Sequence, residues 1–179
     1  MQTYIALLRG INVGGKNKLP MKDLISALEK GGLQNVATYI QSGNVVFQKE
    51  NTAKTQISEQ IEEILKSSFG IESSVVILTK EEWSAVIRAN PYPEAEEDPK
   101  SLHFYFMHAP PDAPNLNKMN ELKSDSERFE IIDSVLYLHA PDGIGRSKLA
   151  AKVEHLLGCP ATARNWRTVS KLDELSGEN

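Results

Sequence analysis

The chain has 179 residues, of which 40% are hydrophobic and 25% are charged, and its formal net charge is −4. This composition is typical of a folded globular protein and excludes a disordered or fibrous one. The negative net charge argues against a globally cationic nucleic-acid binder but allows local basic patches. Because Cys159 is the only cysteine, an intramolecular disulfide and a thiolate zinc cluster are excluded, and a reducing cytoplasm is expected.

The apolar N-terminal stretch is too short to span a bilayer and lacks the pattern of a signal peptide, so neither export nor a membrane partner is predicted. The first half then alternates between β-prone and helix-periodic segments. These are a predicted strand at Thr3–Leu8, a helix starting at Pro20 and ending at Gly31 and Gly32, strands at Val36–Ile40 and Val45–Gln48, a helix at Thr52–Phe69 and a strand at Ser74–Leu78.

Two local patterns refine this prediction. Apolar residues on both faces of the first strand indicate that it is buried on both sides. Ser42, Gly43 and Asn44 are turn residues, which favours a hairpin between the two middle strands, with a bulge in one longer strand as the alternative. The resulting order β-α-β-β-α-β is that of a ferredoxin-like fold.

Residues 80–100 are predicted to separate the two halves. Thr79 and Glu82 have the spacing of a capping box, which predicts a short helix that ends before Pro91. The stretch from Pro91 to Lys100 contains three prolines and four carboxylates. This composition predicts a linker, because it offers little apolar surface to bury.

The second half follows the same template. Its predicted elements are a strand at Leu102–Met107, a helix at Leu116–Leu122, strands at Arg128–Ile132 and Val135–His139, a helix at Ser147–Leu157, an extended piece at Ala161–Ala163 and a last helix after Asn165. The predicted fold class is therefore α+β, with two ferredoxin-like (βαββαβ) halves in tandem plus a C-terminal helix. The predicted domains are residues 1–79 and 101–179, joined by 80–100.

Three basic stretches could bind an anion, because glycine turns and helix starts present free N–H groups and lysine or arginine adds charge. They are Gly10–Lys18, Gly143–Lys148 and Thr162–Arg167. None matches the Walker or dinucleotide-binding pattern. Each also has a structural explanation: a tight turn at Gly14 and Gly15, an N-cap at Ser147, and an ion pair for Arg164.

The leading hypothesis is a phosphate-bearing small molecule or nucleotide bound where the three basic loops meet. The predicted ligand-binding residues are Arg9, Lys16, Arg146, Lys148 and Arg164 for charge, Gly14, Gly15 and Ser147 as backbone or hydroxyl donors, Asn12, Asn44 and Asn165 for orienting hydrogen bonds, Trp166 as a stacking or packing surface, and Ser42. One alternative is a nucleic-acid binding module that uses the basic C-terminal region or aromatic residues of the second-half strands. The other is a structural or interaction protein without catalysis.

No catalytic set is predicted. The four histidines have no metal-ligand spacing, and Ser42 lacks the glycines of a nucleophile elbow. Histidines 103 and 139 are expected to be exposed on strands, and Cys159 is expected to be inert packing. Neither a general base, a metal nor a cofactor is therefore predicted, and the oligomeric state is left open.

Four motifs together identify a resemblance. LRGINVGGKNK, TYIQSGNVVF, GRSKL and TARNW occur in this order along the chain. In these motifs the chain resembles the bacterial domain-of-unknown-function family 1697 over essentially its full length. The resemblance implies an α+β fold in a small cytoplasmic bacterial protein. It implies no reaction and carries no catalytic residues over to this chain.

Overall fold

The computed structural model describes residues 1–178. By the density of internal contacts, the chain divides into two compact units. The first unit is Met1–Ala85 together with the C-terminal segment from Ser170, and the second is Val86–Val169. Each unit contains one four-stranded sheet. The boundary after Ala85 falls within the segment 80–100 predicted to join the domains, and the chain from Ser170 belongs to the first unit.

The first unit has the predicted ferredoxin-like order of elements. They are β1 (Gln2–Leu8), α1 (Met21–Lys30), β2 (Gln34–Tyr39), β3 (Asn44–Lys49), α2 (Lys54–Phe69) and β4 (Val75–Thr79), followed by α3 (Lys80–Arg88). The strand order is β2-β3-β1-β4, and all neighbouring strands are antiparallel. The predicted hairpin is confirmed, since β2 pairs with β3 and Tyr39 stands opposite Asn44.

β1 is one of the two central strands of this sheet and is buried on both faces. Tyr4, Ala6 and Leu8 belong to the core that α1 and α2 cover. Ile5 and Leu7 point to the opposite face, and both are 0% exposed. An apolar strand of this kind needs cover on both sides, as the unbroken run of apolar residues predicts.

Capping residues set the end of α2 and the start of α3, as the sequence indicates. Gly70 ends α2 with φ +65°, and the next N–H, of Ile71, donates to the Leu65 carbonyl. The predicted capping box begins α3, where Glu82 N–H donates to Thr79 Oγ1 at 3.2 Å and Thr79 N–H donates to Glu82 Oε2 at 2.9 Å.

The second unit repeats the ferredoxin-like topology. Its elements are β5 (Leu102–Phe106), α4 (Leu116–Leu122), β6 (Arg128–Ile132), β7 (Val135–His139), α5 (Val153–Leu157) and β8 (Thr162–Asn165), and α6 (Trp166–Glu178) follows. The strand order β6-β7-β5-β8 corresponds position by position to that of the first unit. The prediction of two tandem ferredoxin-like halves with a C-terminal helix is therefore confirmed.

The helix predicted at Ser147–Leu157 is not continuous. Short 3-10 turns occupy Ile144–Arg146 and Ala150–Lys152, and α5 begins only at Val153. The backbone of Lys152, at φ −125° and ψ 7°, departs from helical values and interrupts the hydrogen-bond ladder. As a result, α5 has 5 residues, whereas its counterpart α2 has 16.

The acidic stretch predicted as a linker is packed. Residues Pro93–Glu97 form a 3-10 helix, flanked by the buried side chain of Tyr92. Asn90 ties the segment together, because its Nδ2 donates to Glu96 Oε1 at 2.9 Å and its Oδ1 accepts from Tyr92 N–H at 3.0 Å. Tyr92 and Ala95 are buried and give the segment an apolar side. The sequence prediction missed this because most of the segment is proline or acidic.

No helix within residues 1–178 has the length and apolar character needed to cross a membrane.

Gly43 provides a test of the packing between the hairpin turn and β1. Its φ is +75°, and a Cβ at this position would stand 2.7 Å from Leu8 Cβ. We expect Gly43→Ala to lower the free energy of unfolding by about 1–2 kcal/mol for the left-handed backbone, plus a further ~1–3 kcal/mol for the steric overlap. Urea unfolding measures this loss.

The matched control is Gly70→Ala. Gly70 has a similar φ of +65° but nothing within 4 Å of an added Cβ, so only the backbone term applies. Equal losses of stability in the two variants would contradict the proposed role of close packing at Gly43.

Candidate functional site

The loop Gly10–Lys18, which connects β1 to α1, carries a tight glycine turn at its tip. Lys16 N–H donates to the Val13 carbonyl at 2.9 Å. Gly14 and Gly15 have φ of +56° and +76°, the signs found in a type I′ turn. The turn lies apart from the helix N-terminus at Met21. An anion at this tip would therefore be bound by N–H groups of the turn and not by those of the helix.

Asn12 fixes the base of this loop. Its Nδ2 donates to the carbonyls of Leu19 and Gln41 at 2.9 and 2.6 Å, and its Oδ1 accepts from Leu19 N–H at 2.8 Å. Asn17 adds a second brace, because its Nδ2 donates to the Gly10 carbonyl at 3.0 Å. Both asparagines have positive φ, of +55° and +48°. The loop is therefore held in one shape by its own side chains.

Ser42 and Asn44 hold the neighbouring β2–β3 turn. Asn44 is 0% exposed, and its Nδ2 donates to the Tyr39 carbonyl at 3.0 Å and to Ser42 Oγ at 2.9 Å. The Gly43 carbonyl in turn accepts from Leu8 N–H at 2.9 Å. These bonds give both residues a structural role in the turn, while their predicted contact with a ligand stays a prediction.

The structure adds two exposed apolar side chains that sequence reasoning missed. Val13, at the loop tip, is 61% exposed, and Ile40, in the β2–β3 turn, is 51% exposed. Ile40 also has a φ of +49°, which is unfavourable for a β-branched residue and is found where surrounding structure imposes it. No sequence signal reveals this, because turn residues follow Ile40 and its own preference is for a strand.

Cations flank the loop tip in the sequence. Arg9, Lys16 and Lys18 are all exposed. We define the loop surface as Arg9, Val13, Lys16, Lys18 and Ile40, on two loops that the Asn12–Gln41 hydrogen bond joins. The first unit thus presents a braced surface with both apolar and basic character.

The Gly143–Lys148 stretch of the second unit forms a 3-10 turn. Ser147 is 7% exposed, and its Oγ accepts from Ala150 N–H at 2.9 Å, so it acts as a cap, which was its structural alternative. Arg146 and Lys148 are exposed on either side of it. The charge predicted for this loop is therefore accessible to a solute.

The Thr162–Arg167 stretch forms β8 and the start of α6. Asn165 is the N-cap of α6, because its Oδ1 accepts from Thr168 N–H at 3.1 Å. The Trp166 ring lies 5.8 Å from the ring of Phe104, so it has a packing role. Arg164 is half-buried, and burial lowers the pKa of its guanidinium to about 10, which leaves it charged at neutral pH.

Aromatic residues of β5 and β7 do not form an open platform for nucleic-acid bases. Phe104, Phe106 and Tyr137 are at most 1% exposed and Tyr105 is 7% exposed. Phe104 and Tyr137 pack edge to face, with ring centroids 4.6 Å apart. Stacking of bases on these strands is therefore not supported, while binding through the basic C-terminal region stays a prediction.

Neither His103 nor His139 is fully exposed, in contrast to the expectation from sequence. Burial lowers the pKa of His103, whose Nδ1 is buried without a hydrogen-bond partner among the described residues. The pKa of His139 is also lowered, first by burial and then by Arg128, whose Nη2 lies 3.0 Å from His139 Nδ1. Both imidazoles favour the neutral form in the folded chain.

The structure also describes the residue types that bind metals and the single thiol. In the described part of the chain, no group of three or more histidine, cysteine, aspartate or glutamate residues is arranged to hold a metal ion. Cys159 packs against the core of the second unit, and burial raises the pKa of its thiol. A raised pKa disfavours the reactive thiolate.

Asn12→Gly tests the brace of the loop. This variant keeps a residue that tolerates positive φ but removes three hydrogen bonds, so we expect a loss of about 1–3 kcal/mol in unfolding free energy. Amide hydrogen exchange at Leu19, whose N–H donates to Asn12, should accelerate. Asn35→Gly is the control, since Asn35 also has positive φ but makes only one exposed side-chain bond. Unchanged exchange at Leu19 would contradict the role given to Asn12.

The two lowered histidine pKa values predict how stability depends on pH. Below the ordinary value of 6.5 the unfolded chain takes up protons before the folded chain does, so the free energy of unfolding should fall as pH decreases from about 7 to 5. His139→Gln, which keeps an acceptor for Arg128, should flatten this dependence in urea unfolding. His108→Gln, at an exposed position, is the control. An identical pH profile for wild type and His139→Gln would refute the assignment for His139.

Comparisons with known proteins place the chain in a family. A model described as a protein of unknown function (DUF1697) matches residues 1–137. Among solved structures, the conserved bacterial protein SP0830 from Streptococcus pneumoniae is similar, with a TM-score of 0.76, 24% identity and 98% of each chain covered, which indicates a shared fold. A comparison with curated proteins found no match. Since the family model covers most of the sequence, the chain belongs to the DUF1697 family of proteins of unknown function.

Proposed function

We propose that the chain binds a phosphate-bearing small molecule or nucleotide, with the loop surface of the first unit as a binding element. One observation carries the proposal: the exposed Gly10–Lys18 loop is braced in advance by Asn12 and Asn17. A braced loop loses little conformational entropy when a ligand binds, so more of the interaction energy appears as affinity.

The composition of the loop surface suits such a ligand. An added Cβ at Gly14 or Gly15 would meet nothing within 4 Å, so a phosphate can approach the backbone of the turn closely. Lys16 and Arg9 supply positive charge that attracts an anion. Exposed Val13 and Ile40 offer apolar contact to the base or sugar of a nucleotide.

The same proposal includes the basic loops of the second unit. Arg146 and Lys148 are exposed, and Arg164 remains charged at neutral pH. Ser147, Asn165 and Trp166 would then support their loops through the cap and ring contacts described above. Each loop can be tested separately by removing its charge.

A thermal-shift titration tests the proposal. ATP and glucose 6-phosphate are the probes, and adenosine and glucose are their uncharged counterparts. A ligand at about 100 times its Kd stabilises the folded chain by about 2.7 kcal/mol, which raises the melting temperature by several degrees. We expect a phosphorylated probe, and not its counterpart, to produce such a rise.

The double variant Arg9→Gln/Lys16→Gln should lose most of this rise, because each charge-assisted contact contributes about 1.5–3 kcal/mol. The control is Lys66→Gln, on the exposed face of α2, where the ion pair with Glu72 at 3.7 Å contributes little. Arg146→Gln and Arg164→Gln test the other two loops. An unchanged rise in the Arg9/Lys16 variant would refute the role of the loop surface.

The nucleic-acid alternative makes a different prediction for the same protein. Oligonucleotide affinity that falls steeply with salt concentration and depends on Arg164 and Arg167 would favour that alternative. Loss of folding in the charge variants would instead favour a purely structural role for the loops.

A further inference from the structure

A groove of about 690 Å³ lies in the second unit, between its sheet and the helical segment 150–155. Its lining includes Tyr105, Lys152, Glu154 and His155, together with several alanines. Its volume is in the range of sites for small molecules. It contains none of the residues of the loop surface.

The groove exists because the second crossover segment of this unit is short. In the first unit the 16-residue α2 covers the sheet, whereas α5 has 5 residues and follows a 3-10 turn. Tyr105 on β5 stands opposite Ala163 on the neighbouring strand β8. Ala163 is exposed, and because alanine is small it adds little cover to the Tyr105 side chain from the side of β8.

Tyr105 is the distinctive polar group of the groove. Only 7% of its surface is exposed, so its ring is part of the core. Its hydroxyl makes no hydrogen bond to any residue in the range 1–178, and it is not among the polar atoms sealed from solvent. The ring is buried, but the hydroxyl reaches solvent and has no protein partner among the described residues. Such a hydroxyl can donate a hydrogen bond to a bound solute.

Donor side chains at the margin of the groove can meet an anion, and the Glu154 carboxylate also lines it. Lys152 and His155 are exposed at its margin and can donate hydrogen bonds. Glu154 Oε1 accepts from Ala161 N–H at 2.9 Å, so this carboxylate oxygen belongs to the framework of the groove. Burial, with smaller contributions from Glu127 and Glu154, raises the pKa of Tyr105 to about 12, which keeps its hydroxyl proton in place at neutral pH.

We propose that this groove binds a small organic anion, whose carboxylate or phosphate accepts hydrogen bonds from Tyr105 and Lys152 and whose apolar part rests on the alanines. The alanines at positions 150, 151, 161 and 163 leave room for such a body. This site is separate from the loop surface and does not depend on the function proposed for it.

NMR titration of the full chain tests the site. Phenyl phosphate and benzoate are the probes, which also distinguishes a phosphate from a carboxylate, and benzyl alcohol is the neutral comparison. We expect amide shifts within residues 150–155 and 161–163 for at least one anion and weaker shifts for benzyl alcohol. Tyr105→Phe, which removes only the hydroxyl, should raise the Kd of that anion by about tenfold or more.

Tyr92→Phe is the matched control, because Tyr92 is also 7% exposed and belongs to the same unit but lies outside the groove. Ala163→Leu, at an exposed position, should fill the groove and abolish binding without unfolding the chain, which far-UV circular dichroism verifies. Unchanged affinity in Tyr105→Phe would overturn the proposal. So would amide shifts confined to residues 13–16, or the absence of amide shifts with both anions. Shifts at residues 13–16 alone would leave the function of the loop surface standing.

Discussion

The candidate loop depends on close packing between the Gly43 turn and the end of β1. The Gly43 carbonyl accepts from Leu8 N–H, and its Cα approaches Leu8 and Ile11 so closely that any side chain would overlap them. This contact fixes the β2–β3 turn, from which the Gln41 carbonyl accepts a hydrogen bond from Asn12. The shape of an exposed loop is therefore set by a buried backbone contact, and its rigidity comes from the core of the first unit.

The sequence predicted helix ends correctly where residues close to them in the chain provide the capping hydrogen bonds. Gly70 ends α2, and Thr79 with Glu82 begins α3, because each motif satisfies backbone groups a few residues away. The prediction of one continuous helix at Ser147–Leu157 was wrong because no capping motif in the sequence marks where the helix is interrupted. Its apolar spacing is compatible with a 3-10 turn followed by a short helix, so periodicity alone could not locate the break at Lys152.

In the candidate site, too, contacts between sequence neighbours could be predicted, whereas contacts between residues far apart in the chain could not. The turn at Gly14 and Gly15 follows from glycine chemistry and could be predicted. The brace by Asn12 could not, because its partner Gln41 lies far along the chain. The strained backbone of Ile40 was also hidden, since tertiary contacts impose a conformation that isoleucine disfavours. Aromatic residues of the second-half strands are predicted as a surface for bases, but the Tyr105 ring is buried, while its hydroxyl is not sealed from solvent.

Two units with the same strand order therefore expose different chemical groups. In the first unit, α2 covers its face of the sheet, and the accessible groups lie on the loops beyond β1 and β2. In the second unit, the shorter α5 leaves part of the sheet open beside β8, so a residue of a central strand, Tyr105, reaches solvent. The two arrangements, a covered sheet and a partly open one, accompany a long crossover helix (α2) and a short one (α5). The shared strand order consequently leaves the exposed groups of each unit to helix length and loop sequence.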